Sequence, residues 1–236
     1  MTSNNTAWRA RRGAFARFAA VAPAAATLAS ALAMSLLGGC STLLPPPPPP
    51  DNIYLLEARV APVSSSASTP ADARSAPPPK RDLVLAVSMP RARAGFDTAQ
   101  MVWVRQAHGL EVYSRNRWAD TPTRMLAPLL AQALERSGAF HAVVQAPSAV
   151  SAVLRLDTEL IRLQQDFSVR PSRVQFTLNA QLIDIGTRRV IASAEFDETE
   201  NAATEDAYGG VRAANLALER LLVRLTAFCT EHAPPP

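Results

Sequence analysis

One stretch of the sequence, VQFTLNAQL at residues 174–182, alternates apolar and polar side chains at every position. A strand with one buried face shows this alternation, because successive side chains point to opposite faces of the sheet. Residues 154–163 before it and 190–196 after it alternate less strictly, and residues 185–188 supply a turn. The pattern predicts three consecutive antiparallel strands. The first exceeds the usual strand length of about 5 or 6 residues, so we predict a β-bulge near Thr158.

Two other segments show the period of a helix. In the C-terminal segment, apolar residues recur three or four positions apart, which predicts a buried helix face. That stripe comprises Val211, Ala214, Leu218, Leu221, Leu222, Leu225, Phe228 and Cys229. A second pattern predicts a helix that is capped by Asp120, runs to Ser137, stops at Gly138 and kinks at Pro128. Its predicted inner face comprises Met125, Leu126, Leu129, Ala133 and Leu134.

Short β-rich segments supply the remaining strands. We predict strands at residues 52–60, 82–89 and 140–145, and a hairpin of residues 101–105 and 110–114. The second of these segments would direct four residues inward, namely Leu83, Leu85, Val87 and Met89, and the hairpin would turn at His108 and Gly109. Two helices can bury their stripes only against one face of such a sheet. The predicted fold class is therefore α+β, a mostly antiparallel β-sheet with two α-helices on one face.

The first 39 residues predict a lipoprotein signal peptide. Four arginines precede an almost wholly apolar stretch at residues 18–37, as in secretory signals. The pair Arg11 and Arg12 matches the twin-arginine pattern poorly, so the general secretory route is favoured. The stretch ends in Leu-Gly-Gly-Cys at residues 37–40, which resembles the bacterial lipobox. We predict peptidase cleavage between Gly39 and Cys40 and lipid attachment at the Cys40 thiolate. The alternative is a buried cysteine in a membrane anchor.

Loss of the signal peptide would also remove the net positive charge. Four of the 24 Lys and Arg residues lie within it, which leaves 20 against 20 Asp and Glu residues. No basic cluster survives in the rest of the chain. A nucleic-acid-binding function is therefore excluded, because it needs a basic face.

Proline runs and small polar residues divide the mature chain. We predict that residues 40–51 are the lipidated cysteine and a proline-rich spacer, residues 52–232 the folded domain, and residues 233–236 a disordered tail. We predict that residues 61–80 form a flexible insertion. A polyproline II spacer advances about 3.1 Å per residue, so Ser41 to Pro50 would hold the domain on the order of 30 Å from the membrane.

The residues offer no catalytic, metal or cofactor constellation. The three histidines, His108, His141 and His232, are too far apart in sequence for a metal-ligand motif. The acid-rich residues 195–206 predict a solvated strand end rather than a metal site or partner patch. Cys229 lies on the helix stripe and predicts a core residue rather than a redox centre. We therefore expect a non-enzymatic protein without a cofactor.

Four residues near the predicted hairpin are candidates for a partner interface. Trp118 has two interpretations, either a core anchor ahead of the first helix or a docking aromatic beside Arg117. Trp103 and Tyr113, on opposite hairpin strands, share this ambiguity. Arg117, Trp118, Tyr113 and Trp103 are the candidate interface residues.

Six pieces of the chain, taken in order, resemble the ABC-type transport auxiliary lipoprotein family. They are the lipobox, YLL at residues 54–56, LAVSMP at 85–90, FDTAQMVWV at 96–104, RWAD at 117–120 and VIASAEF at 190–196. The resemblance covers nearly the whole mature chain.

The resemblance implies an accessory, non-catalytic role. Its partners would be an ABC ATPase, a permease and a periplasmic MCE-domain protein that together transport lipid. Ser41 follows the cysteine where Asp would mark retention at the inner membrane, which favours the periplasmic leaflet of the outer membrane. Two alternatives stay open: a structural lipoprotein that scaffolds outer-membrane assembly without lipid transfer, and a homo-oligomeric rather than monomeric state.

Overall fold

The computed structural model describes residues 49–58 and 81–235. Its helices are α1 (Pro122–Arg136) and α2 (Ala207–His232). Its strands are β1 (Asn52–Tyr54), β2 (Arg81–Val87), β3 (Arg91–Ala92), β4 (Gln100–Val104), β5 (Glu111–Trp118), β6 (Phe140–Gln145), β7 (Leu154–Asp166), β8 (Arg173–Asp184) and β9 (Arg189–Asn201). The predicted signal peptide, lipidated cysteine and insertion lie outside the described residues.

The three predicted consecutive strands form the longest ladders of the sheet. β7 pairs antiparallel with β8, and β8 pairs antiparallel with β9, over nearly their full lengths. α2 packs across β8 and β9. The apolar residues of the alternating stretch are all buried in the core, namely Val174, Phe176, Leu178, Ala180 and Leu182. The alternation therefore predicted this strand and its buried face correctly.

β7 contains the predicted β-bulge, which lies between Leu160 and Arg162, two to four residues beyond Thr158. Thr158 is buried and keeps the alternation with Leu160, whereas the next buried apolar residue is Leu163. The spacing of the buried residues thus changes from two to three at the bulge, because the extra residue, Ile161, resets the alternation.

The other edge of β7 is shared by three strands that all run parallel to it. β2 pairs with the start of β7, β3 with its middle and β4 with its end. β6 extends the sheet beyond β2, while β5 and then β1 extend it beyond β4. The sheet is mixed, but its longest ladders are antiparallel, which confirms the predicted α+β class. The predicted hairpin is also confirmed, as β4 and β5 with His108 in the turn at a φ of 65°.

Both helices pack on the same face of the sheet and contact each other. The predicted stripe of α2 is buried along its whole length. α1 begins at Pro122 with Thr121 as its N-cap, so the prediction that Asp120 caps the helix is wrong. A residue before proline is forced into extended backbone, and Thr121 has this conformation. The Asp120 carboxylate instead accepts a hydrogen bond from the Thr121 N–H at 2.7 Å.

Three further details differ from the predictions. Met89 is 54% exposed rather than inward, because β2 ends at Val87 before Met89 is reached. Leu130, not Leu129, is the fully buried leucine at the middle of α1. Ala233, expected in a disordered tail, is buried and donates its N–H to the Cys229 carbonyl at 3.1 Å.

Candidate functional site

The proposed lipid-attachment residue, Cys40, and the cleavage position after Gly39 lie outside the described residues. The nearest described segment, residues 49–58, shows how the chain joins the domain. β1 pairs parallel with β5, so the chain reaches the sheet from the end where the hairpin turns. The Tyr54 carbonyl accepts the Ala119 N–H at 2.7 Å, and Leu56 is 5% exposed. The Glu57 N–H then binds the Asn215 side chain of α2 at 3.1 Å.

The structure separates two of the predicted interface residues. Trp118 is 4% exposed and belongs to the hydrophobic core, so its side chain is the core anchor and not a docking aromatic. Arg117 is exposed, with its guanidinium 3.9 Å from the Asp51 carboxylate. Neighbouring residues of one strand point to opposite faces, and this is why the two side chains do not form one surface.

The structure brings the other two predicted residues together. The rings of Trp103 and Tyr113 lie 6.2 Å apart, and the Phe167 ring meets Trp103 edge to face at 5.8 Å. The Arg105 guanidinium lies over the Trp103 ring at 4.8 Å, within the range of a cation–π contact. We call Trp103, Tyr113, Phe167 and Arg105 the aromatic cluster. Phe167 follows the last residue of β7 and reaches Trp103 because its N–H binds the Val104 carbonyl at 2.8 Å.

A buried chain of polar groups holds Tyr113 in place. Its hydroxyl donates to the Gln165 side chain at 2.8 Å, and the Gln165 amide donates to the Ser172 hydroxyl at 3.0 Å. Burial raises the pKa of Tyr113, and Asp206 and Glu205 nearby raise it further. A Cβ on Gly210 would lie 2.2 Å from the Gln165 side-chain oxygen, so any larger residue there would displace the Gln165 side chain. Tyr113 is therefore a neutral, fixed hydrogen-bond donor.

The sheet face opposite the helices is polar and carries an open groove of about 640 Å³. In this groove the Arg162 guanidinium donates to the Thr177 hydroxyl at 3.1–3.2 Å, and that hydroxyl donates to Asp197 at 2.6 Å. Gln164 donates to Gln175 across the same strands at 2.9 Å. Among the described residues, the polar side chains at the base of this groove are therefore largely hydrogen-bonded to one another.

The acid-rich residues 195–206 are not simply solvated, contrary to the prediction. Glu198 lies on the helix side of β9 and is only 10% exposed in its side chain. Its carboxylate binds Arg220 at 3.0 Å and Arg224 at 2.6 Å, both from α2. Arg220 and Arg224 also donate to the backbone carbonyls of Thr199 and Asp197. These contacts attach α2 to the edge of β9.

The chemistry of the remaining described residues is limited. Burial raises the pKa of the Cys229 thiol to about 12, so it is a core residue and not a nucleophile. Within residues 49–58 and 81–235, no three His, Cys, Asp or Glu side chains converge on a position that could hold a metal ion. Neither described helix has the length and apolar composition needed to cross a bilayer.

Comparisons with known proteins connect this geometry to a family. Among solved structures, protein XCC0632 from Xanthomonas campestris is similar with a TM-score of 0.65 and 24% identity, over 77% of this chain and 96% of that one. The crystal structure of an uncharacterized protein gives a TM-score of 0.57 with 11% identity, over 76% of this chain and 99% of that one. These likenesses show a shared fold.

The curated proteins include none whose sequence matches. A family model described as the ABC-type transport auxiliary lipoprotein component matches residues 66–225. The matched range spans more than half of the 236 residues. The chain therefore belongs to the ABC-type transport auxiliary lipoprotein component family.

Proposed function

We propose that this chain is an outer-membrane-anchored periplasmic lipoprotein and a non-catalytic accessory component of an MCE-type ABC lipid transport system. Family membership supports a role beside an ABC transporter. The lipobox at residues 37–40 supports attachment through Cys40. Each buried methylene of an acyl chain contributes about 0.8 kcal/mol, so the several chains of a lipoprotein give stable anchoring.

The aromatic cluster supports the proposed role as a docking module. Trp103 and Tyr113 are half-buried and held by neighbours rather than free to rotate. Rigid aromatic side chains beside an arginine are the residues that most often dominate binding energy at protein interfaces. We propose that this cluster contacts the periplasmic MCE-domain protein, while Arg117 lies on the other face of β5 and is left out of this surface. Trp118 is left out of this surface because it is buried.

The main support for the proposal is the family match over residues 66–225, together with the lipobox that precedes this range in the sequence. The test is co-purification. Full-length chain is co-expressed with the ATPase, permease and MCE-domain protein of the proposed system, and the MCE-domain protein retained on the tagged chain is quantified. The wild type should retain it in the membrane fraction, and a form that lacks Cys40 and is exported by a cleavable secretory signal peptide should be released from the membrane.

A pair of variants on the hairpin locates the contact. Trp103→Ala should lower the retained MCE-domain protein about tenfold, as loss of an interface anchor does. Val112→Ala is the matched control, since Val112 is exposed on the same hairpin outside the aromatic cluster. Thermal melts confirm that both variants fold. If no transporter protein is retained by the wild type, the chain is better described as a scaffold of the outer membrane.

A further inference from the structure

Exposed apolar side chains gather at the end of the sheet where β7 begins and β8 turns into β9. Val153 is 46% exposed, Ile185 38% and Val190 53%. The Ile185 N–H binds the Val153 carbonyl at 3.0 Å, and Val190 pairs with Ile183 in the β8–β9 ladder. Residues paired across strands share one face. Val153, Ile183, Ile185 and Val190 therefore form one contiguous patch, which we call the distal cluster.

The distal cluster differs from the rest of the same sheet face. Towards the start of β8 the same face carries Gln175, Thr177, Asn179 and Gln181, which are polar. The change from polar to apolar occurs within the last residues of β8 and the first of β9. A soluble protein exposes single apolar residues without consequence, but a contiguous group at one end of an otherwise polar face marks a contact surface.

The distal cluster lies far from the point where the chain joins the sheet. That point is on β5 near Asn116. Because β5 pairs with β4 and β4 pairs with β7, it lies at about the same position along the strand direction as Leu163 of β7. Val153 is ten residues earlier along β7, which at about 3.3 Å per residue is roughly 33 Å away. Pro50 and Asp51 lead into β1 from the opposite end.

Charges at the rim indicate the chemistry of the occupant. The β8–β9 turn carries two exposed arginines, Arg188 and Arg189. The nearby Asp184 carboxylate accepts the Thr187 N–H at 2.8 Å, and this hydrogen bond lowers its pKa and keeps it ionised, so two positive charges at the turn face one negative charge. The surface thus has an apolar centre and a rim with an excess of positive charge, and it is complementary to apolar side chains flanked by carboxylates.

We propose that the distal cluster is a second docking surface, which binds a protein segment of the transport system that presents apolar side chains flanked by Asp or Glu. This inference rests on the proposed function, because the proposed transport system supplies the partner. It adds a contact at the opposite end from the aromatic cluster. Arg188 and Arg189 would pair with the partner's carboxylates.

Site-specific photocrosslinking in the full-length lipidated chain tests the proposal. A photoreactive phenylalanine analogue is placed at Ile185, at Val190 or at the control position Leu216, which is similarly exposed on α2. The probe partner is the co-expressed MCE-domain protein. Crosslinks from Ile185 and Val190 but not from Leu216 are expected. Crosslinks to lipid or to a second copy of the chain, or none at these positions, would overturn the proposal.

Charge reversal gives an independent measurement. Arg188→Glu combined with Arg189→Glu should lower retention of the MCE-domain protein about tenfold and remove most of its salt dependence. The control is Arg212→Glu, on an exposed position of α2. If Trp103→Ala abolishes retention while the double reversal has no effect, the distal surface is rejected and the proposed function stands. If the wild type retains nothing, both fail.

Discussion

The sheet has two halves that meet along β7, and they are built differently. The long half, β7 to β9 with α2, is one continuous stretch of sequence joined by tight turns. The short half, β1 to β6 with α1, contains strands of two to eight residues, most of them paired parallel. Local antiparallel pairing closes short loops, whereas parallel pairing closes long ones at higher entropic cost. The short half should therefore depend on β7 as a preformed edge.

Phe176→Ala should have the largest effect, because it removes a fully buried ring from the centre of the long half. We expect a loss of about 3–5 kcal/mol in the free energy of unfolding, from lost burial and the cavity that remains. Urea unfolding followed by circular dichroism measures it. The short half should unfold in the same transition. A separate, unshifted transition of the short half would show that it does not depend on β7.

Gly210→Ala should disrupt the junction between the halves. The added methyl group would collide with Gln165, which links β7 to Tyr113 of the short half and to Ser172. Loss of these buried hydrogen bonds should cost about 1–3 kcal/mol. Thermal melting measures the loss, and a change in tryptophan fluorescence near Tyr113 would report local repacking. Gly109→Ala is the control, since its Cβ would meet nothing closer than 3.4 Å.

Glu198→Gln weakens the attachment of α2 to β9 within the long half. It keeps the shape of the side chain but removes the charge that Arg220 and Arg224 bind. Hydrogen bonds to charged groups contribute about 1.5–3 kcal/mol, so we expect a loss near 1–2 kcal/mol. Glu195→Gln, on the exposed face of the same strand, should change the unfolding free energy by less than about 0.5 kcal/mol. Equal effects of both variants would show that the Glu198 charge does not hold α2 to β9.

The smallest effect concerns pH at the end of β7. Burial acts to raise the pKa of Asp166, but hydrogen bonds from Ser168 and Arg173 outweigh it and hold the pKa below its ordinary value of 3.8. A carboxyl group with a lowered folded-state pKa stabilises the protein above its unfolded-state pKa, and this contribution disappears as pH falls through the folded-state value. Asp166→Asn should be less stable than wild type at pH 7. The difference should shrink below about pH 3.8, in unfolding curves measured at each pH.

The difference between the long half and the short half also explains which features the sequence could predict. Strict alternation identified the buried face of β8, and the helix stripe identified that of α2, because both signals are local. The β4–β5 hairpin and β6 were predicted for the same reason. The bulge in β7 was predicted two to four residues early, although the spacing between Leu160 and Leu163 carried the signal for its position.

The arrangement of the short half could not be predicted from these patterns. Alternation shows which residues share a face, but not that β2, β3 and β4 divide one edge of β7 among them. For this reason Trp118 could not be distinguished from a surface aromatic. Phe167 was missed because it meets Trp103 only through the parallel pairing of β4 with β7. The burial of Glu198 was missed because it depends on arginines over 20 residues away along the chain.

Lipid transfer measured with and without this protein shows whether it is a component of the transport system. Vesicles carrying the ATPase and permease, with the MCE-domain protein, are given ATP and a labelled phospholipid, and transfer to acceptor vesicles bearing the lipidated chain is followed. We predict that transfer falls when the wild-type chain is omitted and that a form without the signal peptide and Cys40 does not restore it fully. Equal transfer with and without the chain would contradict its role as a component of the transport system.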